Sequence, residues 1–513
     1  MDAGQPFDPT SAIPSSTNGH SNRSAGHPSG KERHETDPDV WHYARHDFDR
    51  ETTRYLSAAT QIDLDYAQDV VRNVVSEPLR AVAPAYGVEI AAVARWAVDS
   101  VMRRARRDIY LAITMLATVV LLPLMLIWLP AAIFVIAAGL FAAWTIVTLE
   151  YWTRVYRIVV GKMLRGMFDI HTAPEPRHQW VRDRINTVSA RRRGNLVIFH
   201  GESAFVGSGQ RLSKEHVVID VSQGKRVKNG KAQKPRKFSN ADVHAALMKT
   251  MNKLGFNDMR IEERLFVNGR HIRDHSAFLP AGAAAPPASS VSSALLQQAA
   301  LHPTPDARVY VCVEMPAWQG QLVVTLFVRA VHTGGYLYIE WEYRVLPPIR
   351  REFRSIDRRY SRSHRQQLWK SCRWGTRRFL PALAKAPLLL ISDVRRYRAE
   401  RKRLSNQVNA IRRGRDFDYG AARSIRELAS GFSREHHFLA RDEIMYVIMS
   451  QQTLLRGLRD FLKKHDVRLG EFDSQAQVIL ESTTNHYSVH VGDMKDSAVT
   501  VGDKSKSKSK SGS

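Results

Sequence analysis

The chain has 513 residues, 44% of them hydrophobic, and a formal net charge of +26. That length holds two or three domains of about 100 to 200 residues each, and the charge calls for anionic company: the inner leaflet of a membrane, a nucleic acid or an acidic protein. Only Cys312 and Cys372 are present, which excludes a disulfide framework and a cysteine zinc site and fits a reducing cytosol.

Residues 1–40 are dominated by Ser, Gly, Pro, Asn and His, so they read as disordered and lack the apolar core of a cleavable signal. Residues 41–107 read as a helical, membrane-proximal region. Ile90, Val93, Ala97 and Val101 fall on one helical stripe that runs into Arg103, Arg104, Arg106 and Arg107.

Between Ile109 and Trp152 the only charged side chain is Glu150, and Pro130 interrupts the run near its middle. A hydrocarbon core of about 30 Å takes roughly 20 helical residues to cross, so residues 108–152 are expected to form a transmembrane helical hairpin turning near Leu129 and Pro130. Arginines flank both outer ends, with Arg154, Arg157, Lys162 and Arg165 after the second span, and the turn carries no charge. Lys and Arg stay on the cytosolic side, which predicts a multi-pass inner (plasma) membrane protein with both termini cytosolic. A buried hairpin of a large soluble domain is the alternative, and it sits poorly with a run this long without a polar face.

After a juxtamembrane helix over residues 153–189, the pattern turns to short β-branched runs, and residues 190–349 read as one cytosolic α+β domain. NLVIF from Asn195 and HVVIDV from His216 read as strands. Ser239 and Asp242 make a capping-box pattern before the stripe Val243, Leu247, Met251 and Leu254, and Gly255 stands where a helix ends. A strand pair is expected over Met259–Ile272, and residues 276–306, rich in Ala, Pro and Ser, read as a loop outside the core. Arg308–Met315, Gln321–Val331 and Tyr336–Val345 are the clearest strands, ended by Pro347 and Pro348. The fold class is therefore membrane-anchored α+β: a helical N-terminal region, the hairpin, an antiparallel sheet with one packed helix and a long C-terminal helix.

Residues 350–415 hold 21 Lys or Arg against 4 Asp or Glu. Phe379–Ile391 within this basic segment is too short and too broken by Pro381, Lys385 and Pro387 to span a bilayer, though it suits the interface. Arg358, Arg359, Arg377, Arg378, Arg395 and Arg396 are the candidate residues for an anionic surface, with inner-leaflet lipid ranked before nucleic acid. A long helix is expected over residues 416–466, roughly Tyr419–His465. The tail, residues 485–513, repeats Val-Gly-Asp at Val491–Asp493 and Val501–Asp503, which reads as two short strands for self-association or a protein partner, before a solvated end.

The one candidate ligand loop is HGESAFVGSG from His200, where Gly201, Gly207, Ser208 and Gly209 can bring backbone N–H groups to an anion. It matches no phosphate-loop or dinucleotide spacing, and a tight turn in a sheet is the simpler reading. His42/His46, His436/His437 and His486/His490 lack a matching ligand set, so no metal site is assigned; catalytic residues and cofactors stay unknown.

RYLSAATQID from Arg54, PAYGVEIAAVARWA from Pro84, the hairpin, AFVGSG from Ala204 and WEYRVLPPI from Trp341 together resemble a group of uncharacterised actinobacterial two-pass membrane proteins with no known activity. The resemblance spans roughly residues 50–350. The tail resembles, more loosely, short Gly-Asp/Asn repeat tails of bacterial signalling and conflict proteins. A cytosolic binding or scaffolding module is the first functional expectation. A membrane-tethered enzyme acting on a phosphate-bearing ligand and a membrane-anchored nucleic-acid binder are the alternatives.

Overall fold

The computed structural model describes residues 48–125, 129–190, 194–225, 233–256, 258–318, 320–358, 363–431 and 437–497. The expected disordered start, His42, His46, Arg359, His436 and the second Val-Gly-Asp copy lie outside the described residues.

Helices α1 (Phe48–Ile62) and α2 (Leu64–Val70) are separated by Asp63, whose carboxylate accepts from the Asp65 and Tyr66 amides and so starts the second helix. A π-helical turn, Val71–Ser76, ends this pair. Helix α3 (Ile90–Met125) runs unbroken from the alanine-rich stripe through the arginine cluster into the apolar residues. Its first half packs against α1, α2 and α5 (Gln179–Ala190), burying Leu56, Val74, Val93, Ala97 and Ile185 in one core. Its second half lies antiparallel to α4 (Leu129–Trp152), with Arg107 near Glu150, and Thr118 against Gly139 so closely that a Cβ there would meet the Thr118 hydroxyl at 2.3 Å. Together with the π-helical stretch that follows it, α4 is the one described helix long and apolar enough to cross a membrane, and only 22% of its apolar window is buried.

The strands are β1 (Leu196–Phe199), β2 (Gln210–Asp220), β3 (Arg260–Asn268), β4 (Ala307–Ala317), β5 (Leu322–Thr333) and β6 (Tyr336–Leu346), and they form one sheet in the order β1-β3-β4-β5-β6-β2. The sheet is mixed rather than purely antiparallel, because β1 pairs parallel to β3, Leu196 opposite Leu265. Three helices cover one face where one was expected. They are α6 (Asn240–Met251), capped by the reciprocal Ser239–Asp242 box, and two C-terminal helices, α11 (His437–Lys464) and α12 (Gly470–Ser497). Val313, Leu326, Ile339, Trp341, Leu247, Leu454, Leu458 and Phe472 make the centre of this core.

Several expectations need correction. The expected strand pair over Met259–Ile272 is the single strand β3, followed by turns. The stretch 276–306 is not outside the core: it forms α7 (Ser293–Leu301) and buries Phe278, Leu279 and Leu296 against the β1–β3 end of the sheet. The basic segment forms a short helix, α8 (Arg351–Arg354), and then α9 (His364–Arg412), a 49-residue helix that keeps both Pro381 and Pro387 inside. Each proline lacks one N–H, so the helix survives there on tertiary contact rather than propensity. A short helix, α10 (Ile425–Leu428), precedes α11, so the expected helix over 416–466 is two pieces. The first tail copy, Val491–Asp493, lies in α12 rather than a strand. Phe472, Ala476 and Ile479 recur at helical spacing onto the sheet core and carry the helix forward.

On α11, Glu443 has no ion-pair or hydrogen-bond partner among the described residues, and burial pushes its carboxyl from the usual 4.5 up to about 7. Between those values the folded chain binds a proton that the unfolded chain does not, so this group favours folding at acid pH and the effect is lost as pH rises through about 7. Glu443→Gln should therefore raise the melting temperature relative to wild type more at pH about 8 than at pH about 5. An unchanged difference between the two would show that the carboxyl titrates normally.

Candidate functional site

The second face of the sheet is charged and aromatic. Alternation along β6 puts Glu340, Glu342 and Arg344 there, and the register sets Lys214, Arg329 and Thr325 beside them. Glu340 accepts from Tyr310 Oη at 2.8 Å, Arg329 Nη1 at 3.1 Å and Tyr338 Oη at 3.3 Å. Burial works to raise the Glu340 carboxyl, yet the hydrogen bonds from Tyr310 and Arg329 and the charges of Arg329 and Arg308 outweigh it and hold it below the usual range. Arg264 joins Glu314 at 2.7 Å and Glu262 at 3.0 Å, and Arg344 joins Glu342 at 2.7 Å. Beneath them burial pushes the Cys312 thiol up to about 12, which leaves it protonated and a poor nucleophile.

The His200–Gly209 loop closes over this face. Phe205 stacks on Phe327, ring centroids 4.0 Å apart, with the Phe266 and Tyr310 rings edge-on at 5.2 and 5.1 Å. The backbone N–H groups of Gly207 and Gly209 converge as the sequence suggests, and both donate to one anionic oxygen, Glu427 Oε1, at 2.8 Å each. Both glycines have positive φ, +94° and +84°, and a Cβ at either would meet backbone oxygen, of Pro84 at 2.3 Å or of Val345 at 2.0 Å. Gly201 (φ +64°) turns in open space, and the Ser208 amide bonds back to Phe205. His200 Nδ1 lies 2.7 Å from Asp418 Oδ2. Two cavities open against the loop. One of about 440 Å³ meets Gly207 and Ser208 and reaches Arg264, Glu314 and Thr325; the other, about 390 Å³, meets Glu202 and Phe205 and is lined by Arg211, Lys214, Arg308 and Glu340. The pattern Gly-X-Gly showed that an anion could sit at the loop, whereas nothing local marks Glu427, more than 200 residues on, as that anion.

The basic candidates are spread along α9. Arg377, Arg378, Arg395 and Arg396 are all exposed, Arg396 reaching Gln68 Oε1 at 3.4 Å, and Arg358 ends the 3₁₀ turn after α8. Sequence reasoning missed what α9 packs on. Trp374 stacks on Tyr151 with centroids 4.3 Å apart, Trp144 Nε1 donates to Thr376 Oγ1 at 3.1 Å, and Gly375 sits against Thr148. These contacts meet the end of α4 that carries Glu150 and precedes Arg154. Among the described residues no group of three or more His, Cys, Asp or Glu could hold a metal ion.

The AbeC-like domain family model matches residues 214–495, from β2 to α12. The chain belongs to the AbeC-like domain family. The match takes in WEYRVLPPI, while β1, the His200–Gly209 loop and the helices α1–α5 precede the AbeC-like domain as matched. No curated protein and no solved structure matches the chain.

Glu427→Ala would leave the Gly207 and Gly209 amides without their acceptor in a half-buried turn, at a cost of about 1–3 kcal/mol. Hydrogen exchange at those two amides should quicken in the variant while the strand amides of β4 and β5 keep their protection; unchanged exchange would mean that Glu427 does not hold the loop and that contacts such as the Phe205 stack and the Arg344 bond to Gly209 O do.

Proposed function

We propose that the chain is a two-pass membrane protein with both termini in the cytosol, whose AbeC-like domain is a binding or scaffolding module held at the inner leaflet. The observation that carries this reading is the apolar pair α3–α4, which exposes Leu116, Val119, Phe134 and Phe141, each more than half accessible, and changes at one end into a cluster of arginines and carboxylates. Water penalises such a continuous apolar surface, and a bilayer does not. From Ile109 the described part of α3 has 17 residues without Asp, Glu, Lys or Arg, about 25 Å of helix, and α4 exceeds that. The arginines at the shared end set the orientation.

Helix α9 favours lipid over nucleic acid as the anionic partner. Between its basic clusters it exposes Leu380, Leu388 and Ile391, and apolar side chains interleaved with Arg377, Arg378, Lys385 and Arg395 suit a headgroup layer, where each cation contributes about 1 kcal/mol. The sheet's charged face and its two cavities are the surface proposed for the binding role, with a protein partner or a second copy docking through the tail.

Protease treatment of inverted membrane vesicles carrying the chain, tagged before Met1 and after Ser513, should digest both tags. A protected C-terminal tag would overturn the topology, and recovery of the chain in the soluble fraction would overturn the anchor.

A further inference from the structure

We propose that a hollow where α9 crosses the charged end of α3 and α4 is a binding site for the phosphate group of an anionic lipid. This rests on the membrane reading above and names a particular ligand class for it. The hollow, about 330 Å³, is lined by Arg104 and Arg107 of α3, Glu150 of α4, Arg154, and Arg378 and Lys385 of α9. Two carboxylates serve the first three of these cations: Asp108, which is 1% exposed, lies 2.6 Å from Arg107 and 3.6 Å from Arg104, and Glu150 lies 3.2 Å from Arg154. Arg378 and Lys385 have no hydrogen bond or ion pair among the described residues. Five cations therefore face two carboxylates around one hollow, leaving three positive charges.

Three uncompensated positive charges gathered around one hollow at the border of an apolar surface repel one another, and a bound anion removes that repulsion. The donor geometry narrows the anion. Guanidinium forks from three helical segments, with an ammonium beside them, suit the several acceptor oxygens of a phosphate better than the two of a carboxylate. The remaining wall narrows the rest of the ligand. Val147, Pro381, Ala382 and Leu389 line the same hollow, and Trp374, fixed by its stack on Tyr151 and by the Arg154 guanidinium 5.8 Å from its ring, adjoins a second hollow of about 320 Å³ lined by Val155 and Val159. A phosphate carrying an apolar chain fills both parts, and a free phosphate fills only one.

The test uses the full chain purified in a neutral detergent, titrated with phosphatidylglycerol, with phosphatidylcholine of the same acyl chains, and with soluble glycerol phosphate, reading the melting temperature. Phosphatidylglycerol should raise it by several degrees and the other two should leave it in place. In the paired variant Arg378→Gln with Lys385→Gln, which removes two exposed and unpartnered side chains, the rise should disappear. In Lys463→Gln with Lys464→Gln, which removes the same charge at the exposed end of α11 and away from the hollow, it should persist. An equal response to both lipids, a response to soluble glycerol phosphate alone, or a response that survives the first variant would overturn the site. Alkaline extraction of the wild-type membranes separates the two ideas: a chain that stays in the pellet but shows no lipid selectivity loses only the lipid site, whereas a chain that is released loses the anchor as well.

Discussion

The structure turns on a short segment, Asp418–Ser430, that ties the sheet to the helices preceding it. Its backbone bonds β1 through Ala421 to Ile198, the turn after β3 through Tyr419 to Gly269, the stretch after α2 through Ala81 to Tyr419, and the end of β6 through Arg350 to Ala429. Its side chains complete the tie. Ser424 Oγ donates to Pro84 O, Glu427 holds the glycine loop, and the buried guanidinium of Arg426 reaches the carbonyls of Gly320 and Gln321. Among the described residues no carboxylate pairs with Arg426. Burial lowers its pKa to about 10, yet it keeps its charge at neutral pH and spends it on carbonyl dipoles and the Ser430 hydroxyl. A buried cation held only by dipoles tolerates little movement around it, which makes this segment a constraint on its neighbours as well as a connection.

The two faces of the sheet differ in what they contribute. The face under α6, α11 and α12 is continuous hydrocarbon and supplies the driving force. On the other, the ion pairs around Glu340, Glu342 and Arg264 are largely buried, where desolvation offsets much of the Coulomb gain. Such pairs add little net stability but fix the positions of Arg264, Glu314, Glu340, Glu342 and Arg344, which border the two cavities. Phe205, seated among three rings, lines the smaller of the two cavities.

What the sequence displayed was local. The alternation of β6, the Ser239–Asp242 box and Gly255 at positive φ all express contacts within a few residues, and each is found where its pattern lies. The parallel pairing of β1 with β3 was hidden, because four residues alternate too briefly to say what they pair with. Helix α9 was hidden by Pro381 and Pro387, whose local cost is met by packing on α3 and α4. In the candidate site the glycines were legible and their carboxylate partner was not. The same holds for the hollow at the helix crossing, where Arg104 and Lys385 are neighbours only through the fold.

The tie's place near the C-terminus sets an order of events on the ribosome. Helices α3 and α4, with their exposed apolar flanks, emerge long before Glu427 and Arg426 exist to lock the loop and the turns of the sheet. Strands β1–β6 are likewise complete before α11 and α12 arrive to cover their hydrocarbon face. A nascent chain of this design therefore passes through a long interval with two greasy surfaces uncovered. It depends on early capture of α3–α4 and on chaperoning of the half-covered sheet, and a prematurely terminated product is an aggregation hazard rather than a smaller working protein.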